Sequence, residues 1–325
     1  MAQSPIFSEQ VRLLVDVLPS VAKQHCFALK GGTALNLFVR DLPRLSVDID
    51  LAYLPLADRE ASLAGIDVAL ESIATDIMRS VPATQVTASF VHGTDKRIKL
   101  LVTRNGVVVK VEVTPVLRGC VFDSELREVA PKAQAEFGYA RMQLLSFEDL
   151  YAGKLCAALD RQHPRDLYDV RLLLANEGIS TRLKDAFIVY LLGHNRPMSE
   201  LLKPNRKDIE AIYHAEFVGM TLEEVSLESL LETREEMIAN IHHMLTEQDK
   251  QFLLAVKRGD ADWREFSLPE VERLPAIQWK LHNLLLMKPD RRRNALKALE
   301  RVLEVGFICN SAASQRNAPE MATSR

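Results

Sequence analysis

Read from the N-terminus, the chain switches between a helical and a two-residue hydrophobic period. Val11, Leu14, Val15 and Leu18 form one stripe within residues 1–21, which predicts an amphipathic helix. A short apolar run, Phe27-Ala28-Leu29, ends at Gly31-Gly32, and residues 33–40 return to helical spacing through Ala34, Leu37 and Phe38. Residues 45–53 alternate as a strand does, residues 63–80 read as a helix, and residues 86–90, 98–103 and 107–113 read as strands. The last is the strongest of these, because it is rich in β-branched residues.

From Ser146 the pattern is almost wholly helical. Ser146 with Asp149 suits a helix start before residues 147–162, and Pro164 suits the first turn of residues 165–176. Further helices are predicted over 182–192, 222–245, 251–256, 275–287 and 292–305, with Tyr190, Tyr213, Trp263 and Trp279 as packing residues. The expected fold is mixed α/β: a sheet flanked by helices over residues 1–145, a mostly helical domain over 146–310, and a flexible polar tail over 311–325.

Composition narrows the function classes. The chain has 325 residues, 47% hydrophobic and 26% charged, ample for a core. A net charge of -3 excludes an overall basic nucleic-acid coat, although local patches such as Arg291-Arg292-Arg293 remain open. Cys26, Cys120, Cys156 and Cys309 form no CxxC pair, which argues against a disulfide framework or a cysteine zinc site. No leader pattern or long apolar span is read, so the expected location is cytoplasmic with no membrane partner.

Three features carry chemistry. Lys30-Gly31-Gly32-Thr33 sits between a strand and a helix, where glycines let the backbone turn tightly against an anion; by itself it is only a turn, and it lacks the P-loop spacing. Asp48 and Asp50 lie two apart, on one face of a strand, where paired carboxylates invite a hard dication. Glu112 shares a strand face with Val108, Lys110 and Thr114, opposite Val107, Val109, Val111 and Val113; the plain alternative is a Lys110/Glu112 ladder in solvent. Further on, Lys154, Ala158 and Arg161 fall on one helix face, and Arg165 with Asp169 has the spacing of a surface ion pair.

The order of diglycine turn, Asp-x-Asp strand and later acidic strand is that of the polymerase-β-like nucleotidyltransferases. The segment from Leu29-Lys30-Gly31-Gly32-Thr33 through Ser46-Val47-Asp48-Ile49-Asp50, with the later block from Lys154 through Arg161 to Arg165-Asp166-Leu167-Tyr168-Asp169, closely resembles the AbiEii/AbiGii nucleotidyltransferase toxin family. The resemblance implies an NTP-dependent transferase acting as the toxin of a toxin–antitoxin or abortive-infection pair involved in phage defence. It implies that Gly31, Gly32 and Thr33 cradle the triphosphate, that Lys154 and Arg161 contact it, and that Asp48, Asp50 and Glu112 hold Mg²⁺ or Mn²⁺. Asp166 would be the base that prepares the incoming hydroxyl. The implied acceptor is RNA, first of all a tRNA 3′ end, and a cognate antitoxin is the implied partner. The rival readings are transfer to a protein or small-molecule hydroxyl, and NTP binding without transfer.

Overall fold

The computed structural model describes the backbone of residues 5–314 and the side chains of residues 7–303. Its centre is a seven-stranded mixed sheet made of β1 (Phe27–Lys30), β2 (Asp48–Tyr53), β3 (Gln85–Phe90), β4 (Arg97–Arg104), β5 (Val107–Arg118), β6 (Glu125–Glu128) and β7 (Arg141–Leu144). The spatial order is β3-β4-β5-β2-β1-β7-β6. β1 runs antiparallel to β2, while β5 returns parallel to β2 and β7 parallel to β1.

Alternation decides which face of the sheet is which. Val109, Val111 and Val113 are almost fully buried, as is Ile49, whereas Asp48, Asp50, Lys110 and Glu112 are only partly so. Two helices, α1 (Pro5–Ala22) and α3 (Arg59–Ser80), pack on each other and on the sheet. Val11, Leu14, Val15 and Leu18 of α1 are all buried, as their spacing predicts. Between α1 and α3 in sequence, α2 (Gly31–Thr33) continues as a π-helical turn through Ala34–Val39.

After α4 (Pro131–Phe137) and β7, the rest is helical: α5 (Phe147–Arg161), α6 (Pro164–Asn176), α7 (Thr181–Gly193), α8 (Met198–Leu202), α9 (Glu210–Glu216), α10 (Leu227–Met244), α11 (Glu247–Arg258), α12 (Pro275–Leu285) and α13 (Pro289–Ser314). One continuous apolar core runs from α1 and the sheet into these helices. The N-terminal caps fall where the sequence puts them: Ser146 Oγ accepts from the Asp149 N–H at 3.0 Å, and Pro164 opens α6.

Several boundaries differ from the sequence reading. The helix expected from residue 222 starts at Leu227, because the Leu222 N–H is taken by the Pro43 carbonyl and Ser226 caps the helix. The short pieces β6, α4 and β7 were not predicted. Trp279 is 56% exposed and packs no core, unlike Trp263. Helix α13 extends to Ser314, into the segment expected to be a tail, and residues 315–325 lie outside the described residues.

One buried carboxylate fastens the sheet to the helices. Asp149 on α5 accepts from the Val121 and Phe122 N–H groups at 2.9 Å each, from Ser146 Oγ at 2.7 Å and from the Tyr190 hydroxyl at 3.0 Å. Burial pushes its pKa up, and these donors counter the effect. Asp149→Ala strands several buried donors and should cost about 3 kcal/mol in urea unfolding, whereas Tyr190→Phe should cost about 1 kcal/mol. Equal small losses for both would show that the carboxylate is not the fastening point.

Candidate active site

The register between β2 and β5 builds the floor of the site. Asp48 pairs with Lys110 and Asp50 with Glu112, so the three acids emerge on one face of adjacent strands. The row through Asp50 extends to both sides, with Lys99 of β4 opposite Glu112 and Lys30 of β1 opposite Asp50. Cations sit among the acids. Lys110 Nζ lies 3.7 Å from Asp48 and 3.2 Å from Glu112, and Lys99 Nζ lies 3.8 Å from Glu112. Burial raises the Asp48 pKa, a shift that Lys110 opposes and Asp50 reinforces. Burial likewise depresses Lys30, against the pull of Asp50 and Glu112.

The diglycine bend closes over this floor. Gly31 has φ +74°, and a Cβ there would stand 2.7 Å from Asp50 Oδ2; a Cβ on Gly32 would stand 2.8 Å from Ser46 Oγ. Gly31 is therefore favoured by its left-handed backbone, and a side chain at Gly32 would displace Ser46 or Arg44. Thr33 Oγ1 donates to the Asp48 carbonyl at 2.5 Å and lies 3.1 Å from Ser46 Oγ. Its hydroxyl thus fixes the bend to the start of β2, and Thr33 is not among the residues lining the cavity.

A buried charge network stands on the other side. Asp169 of α6 is gripped by Arg44 through two hydrogen bonds of 2.7 and 2.6 Å, and by Lys154 Nζ at 2.9 Å. Asp166, one turn earlier, takes Lys154 at 3.0 Å and Arg161 at 2.8 Å. Burial alone would raise both carboxyls, but the cations outweigh it and hold Asp169 at about 2 and Asp166 below its ordinary value. Burial alone would lower Lys154, but Asp169 and Asp166 keep its pKa raised. Three cations face two carboxylates here, which leaves one positive charge in excess.

Between floor and network lies a cavity of about 530 Å³. That is the size of a pocket for one small ligand. Lys30, Gly31, Gly32, Asp48, Asp50, Glu112, Lys154 and Arg161 all line it. Arg118, Cys120, Tyr190, His194 and Ile277 line it as well. Among the described residues no group of three or more His, Cys, Asp or Glu side chains is gathered closely enough to hold a metal ion, so Asp48 and Asp50 are the pair to consider and Glu112 stands beside them. The donors nevertheless fit a hard dication: adjacent carboxylate oxygens, open to a cavity, partly neutralised by lysines. Mg²⁺ keeps water and phosphate ligands and needs few protein ones.

The fold brings Gly31, Gly32, Asp48, Asp50, Glu112, Lys154 and Arg161 to one cavity, while Asp166 does not line it but holds Lys154 and Arg161, and the Thr33 hydroxyl bonds the backbone. Asp166 has its carboxylate occupied by two cations and is buried. Asp169 departs from the surface ion pair that its spacing suggested: Arg165 goes to Glu216 instead, and Asp169 pairs inward. Arg44 and Lys30 were not singled out. Arg44 meets Asp169 across 125 positions, so no local spacing could reveal it. Lys30 was visible as the residue before the diglycine.

A structure comparison matches MenT4, a nucleotidyltransferase toxin from Mycobacterium tuberculosis H37Rv, with a TM-score of 0.53 at 17% identity, over 91% of this chain and 93% of that one. At that identity the likeness is one of fold. A comparison with curated protein sequences finds no match. The mixed sheet flanked by helices is the fold shared with that toxin. The family model for the nucleotidyl transferase AbiEii toxin of type IV toxin–antitoxin systems matches residues 12–283. The chain therefore belongs to the AbiEii nucleotidyltransferase toxin family.

Removing the Asp169 carboxylate leaves Arg44 buried without its counter-ion, so Asp169→Ala should cost about 3–5 kcal/mol in denaturant unfolding. Arg165→Ala, at a more exposed pair, should cost under about 1 kcal/mol. Because Asp169 titrates below its unfolded value, its contribution is complete above about pH 4 and is lost as pH falls towards 2. An Asp169→Asn variant should lose less stability between those values than the parent; an equal loss would contradict the pairing.

Proposed function

We propose that this toxin is a Mg²⁺-dependent enzyme that moves a nucleoside monophosphate from an NTP to a hydroxyl of RNA, with the 3′ end of tRNA as the first acceptor to test. The acceptor oxygen attacks the α-phosphorus, the bond to the β-phosphate breaks, pyrophosphate leaves with the electron pair, and the hydroxyl proton passes to solvent. The observation that carries this reading is the register that sets Asp48, Asp50 and Glu112 side by side on the cavity floor. A dication held by Asp48 and Asp50, with Glu112 as third acid, supplies charge stabilisation at the attacking and leaving oxygens.

The chain's own groups do the rest. Gly31 and Gly32 let backbone approach the phosphates without side chains in the way. Lys154 and Arg161 bring positive charge to the same cavity, held there by Asp166. Asp166 is a positioning residue in this reading, because a carboxyl kept ionised by two cations is a weak proton acceptor. Lys99 and Lys110 flank the acids on the side away from Lys30, which suits an acceptor backbone there. Residues 146–310 act as the domain that completes the NTP and acceptor site, and a cognate antitoxin opposes the activity in the cell.

Labelled NTP incubated with total RNA and the purified chain should label RNA in the presence of Mg²⁺, and added EDTA should stop it. Label on the chain alone would favour a protein acceptor, and no label at all would contradict transfer. Asp48→Ala and Asp50→Ala should each abolish labelling and growth inhibition while circular dichroism stays native. A double variant as toxic as the parent would remove the acid row from the mechanism.

A further inference from the structure

The lysines and arginines lining the cavity are almost all engaged. Lys110 pairs with Asp48 and Glu112, Lys154 with Asp166 and Asp169, and Arg161 with Asp166, while Arg118 donates to the Asp58 carbonyl. Lys30 differs. Among the described residues its ammonium makes no ion pair within 4.0 Å and no hydrogen bond. Its Cα lies directly opposite Asp50 in the antiparallel register, so its side chain leaves the sheet on the acid face. It lines the same cavity as Asp50 and Glu112, which attract it, and as Arg161 and Lys154, which repel it.

A lysine carries three donors. Lys154 has committed two directions to buried carboxylates and keeps at most one for a ligand. Lys30 has all three free. A cation crowded by other cations, beside acids that a dication would neutralise, lacks one partner, and that partner is an anion with several oxygens.

We propose that Lys30 is the residue that grips the triphosphate of the NTP directly, donating to the non-bridging oxygens of the phosphates that leave as pyrophosphate. This rests on the nucleotidyl-transfer reading and adds a substrate contact to it. Lys154 then serves chiefly to hold Asp166 and Asp169 in place, with a secondary reach to the ligand.

The test uses the full chain and inorganic tripolyphosphate with Mg²⁺, measured by calorimetry, alongside Mn²⁺ binding followed by electron paramagnetic resonance. In Lys30→Met the tripolyphosphate affinity should fall by about tenfold or more, and Lys30→Arg should recover most of it. Mn²⁺ affinity should hold or tighten, since a nearby positive charge has gone. Lys30→Gln replaces Lys30→Met, with the same threshold, if the latter melts early. Tripolyphosphate binding within about twofold of the parent, with Mn²⁺ binding intact, would overturn the Lys30 assignment and leave the transfer reading to the Asp48 and Asp50 variants. A parent chain that binds no tripolyphosphate would overturn both.

Discussion

The structure turns on a buried ion pair. Asp169 and Arg44 are almost fully buried, joined by two hydrogen bonds, with Lys154 completing the grip. Burying such charges is expensive, and apolar residues could often fill the space with equal or better stability. What the pair provides is position. Arg44 lies in the connection between β1 and β2, just ahead of Asp48, and Asp169 lies on α6. Backbone contacts reinforce the same seam, where Leu45 donates to the Met220 carbonyl and Leu222 to that of Pro43. The network therefore fixes the segment leading into the Asp48 and Asp50 strand against α6 and against Lys154 of α5.

The second constraint is charge balance on the sheet face. Three acids on neighbouring strands would repel, and Lys110 and Lys99 temper that repulsion. Lysine is suited to this, since its flexible stem lets the ammonium withdraw when a dication takes its place. Elsewhere in the lining, Lys154 and Arg161 bring positive charge to the cavity, backed by the network of Arg44, Asp166 and Asp169. A ligand that is a metal complex of a polyphosphate matches both halves at once.

Much of this was legible in the sequence, for identifiable reasons. The β-branched run at 107–113 and the Asp-x-Asp spacing fix which face each acid takes, and α1, α5 and α6 follow from apolar period and caps. The short strands β6 and β7 escape because, unlike the apolar run Phe27-Ala28-Leu29 of β1, their four residues mix charged, polar and apolar types; β6, Glu-Leu-Arg-Glu, is an edge strand with a charged sequence. Helix α10 starts later than its apolar period suggests because Thr221 and Leu222 bridge to the distant segment at Pro43 and Arg44. Asp169 looked like a surface residue because its i, i−4 neighbour is a plausible partner, while its true partner comes from another part of the chain. Trp279 shows the converse: a large aromatic at helical spacing is not evidence of burial.

The most direct test of the account is anomalous diffraction from crystals of the chain soaked with Mn²⁺ and a non-hydrolysable NTP analogue. The account predicts a metal peak bridging Asp48 and Asp50, with the phosphates lying between the Gly31-Gly32 bend and the Lys154 side of the cavity. A metal bound away from that strand, or phosphates held away from the Gly31-Gly32 bend and Lys154, would contradict it.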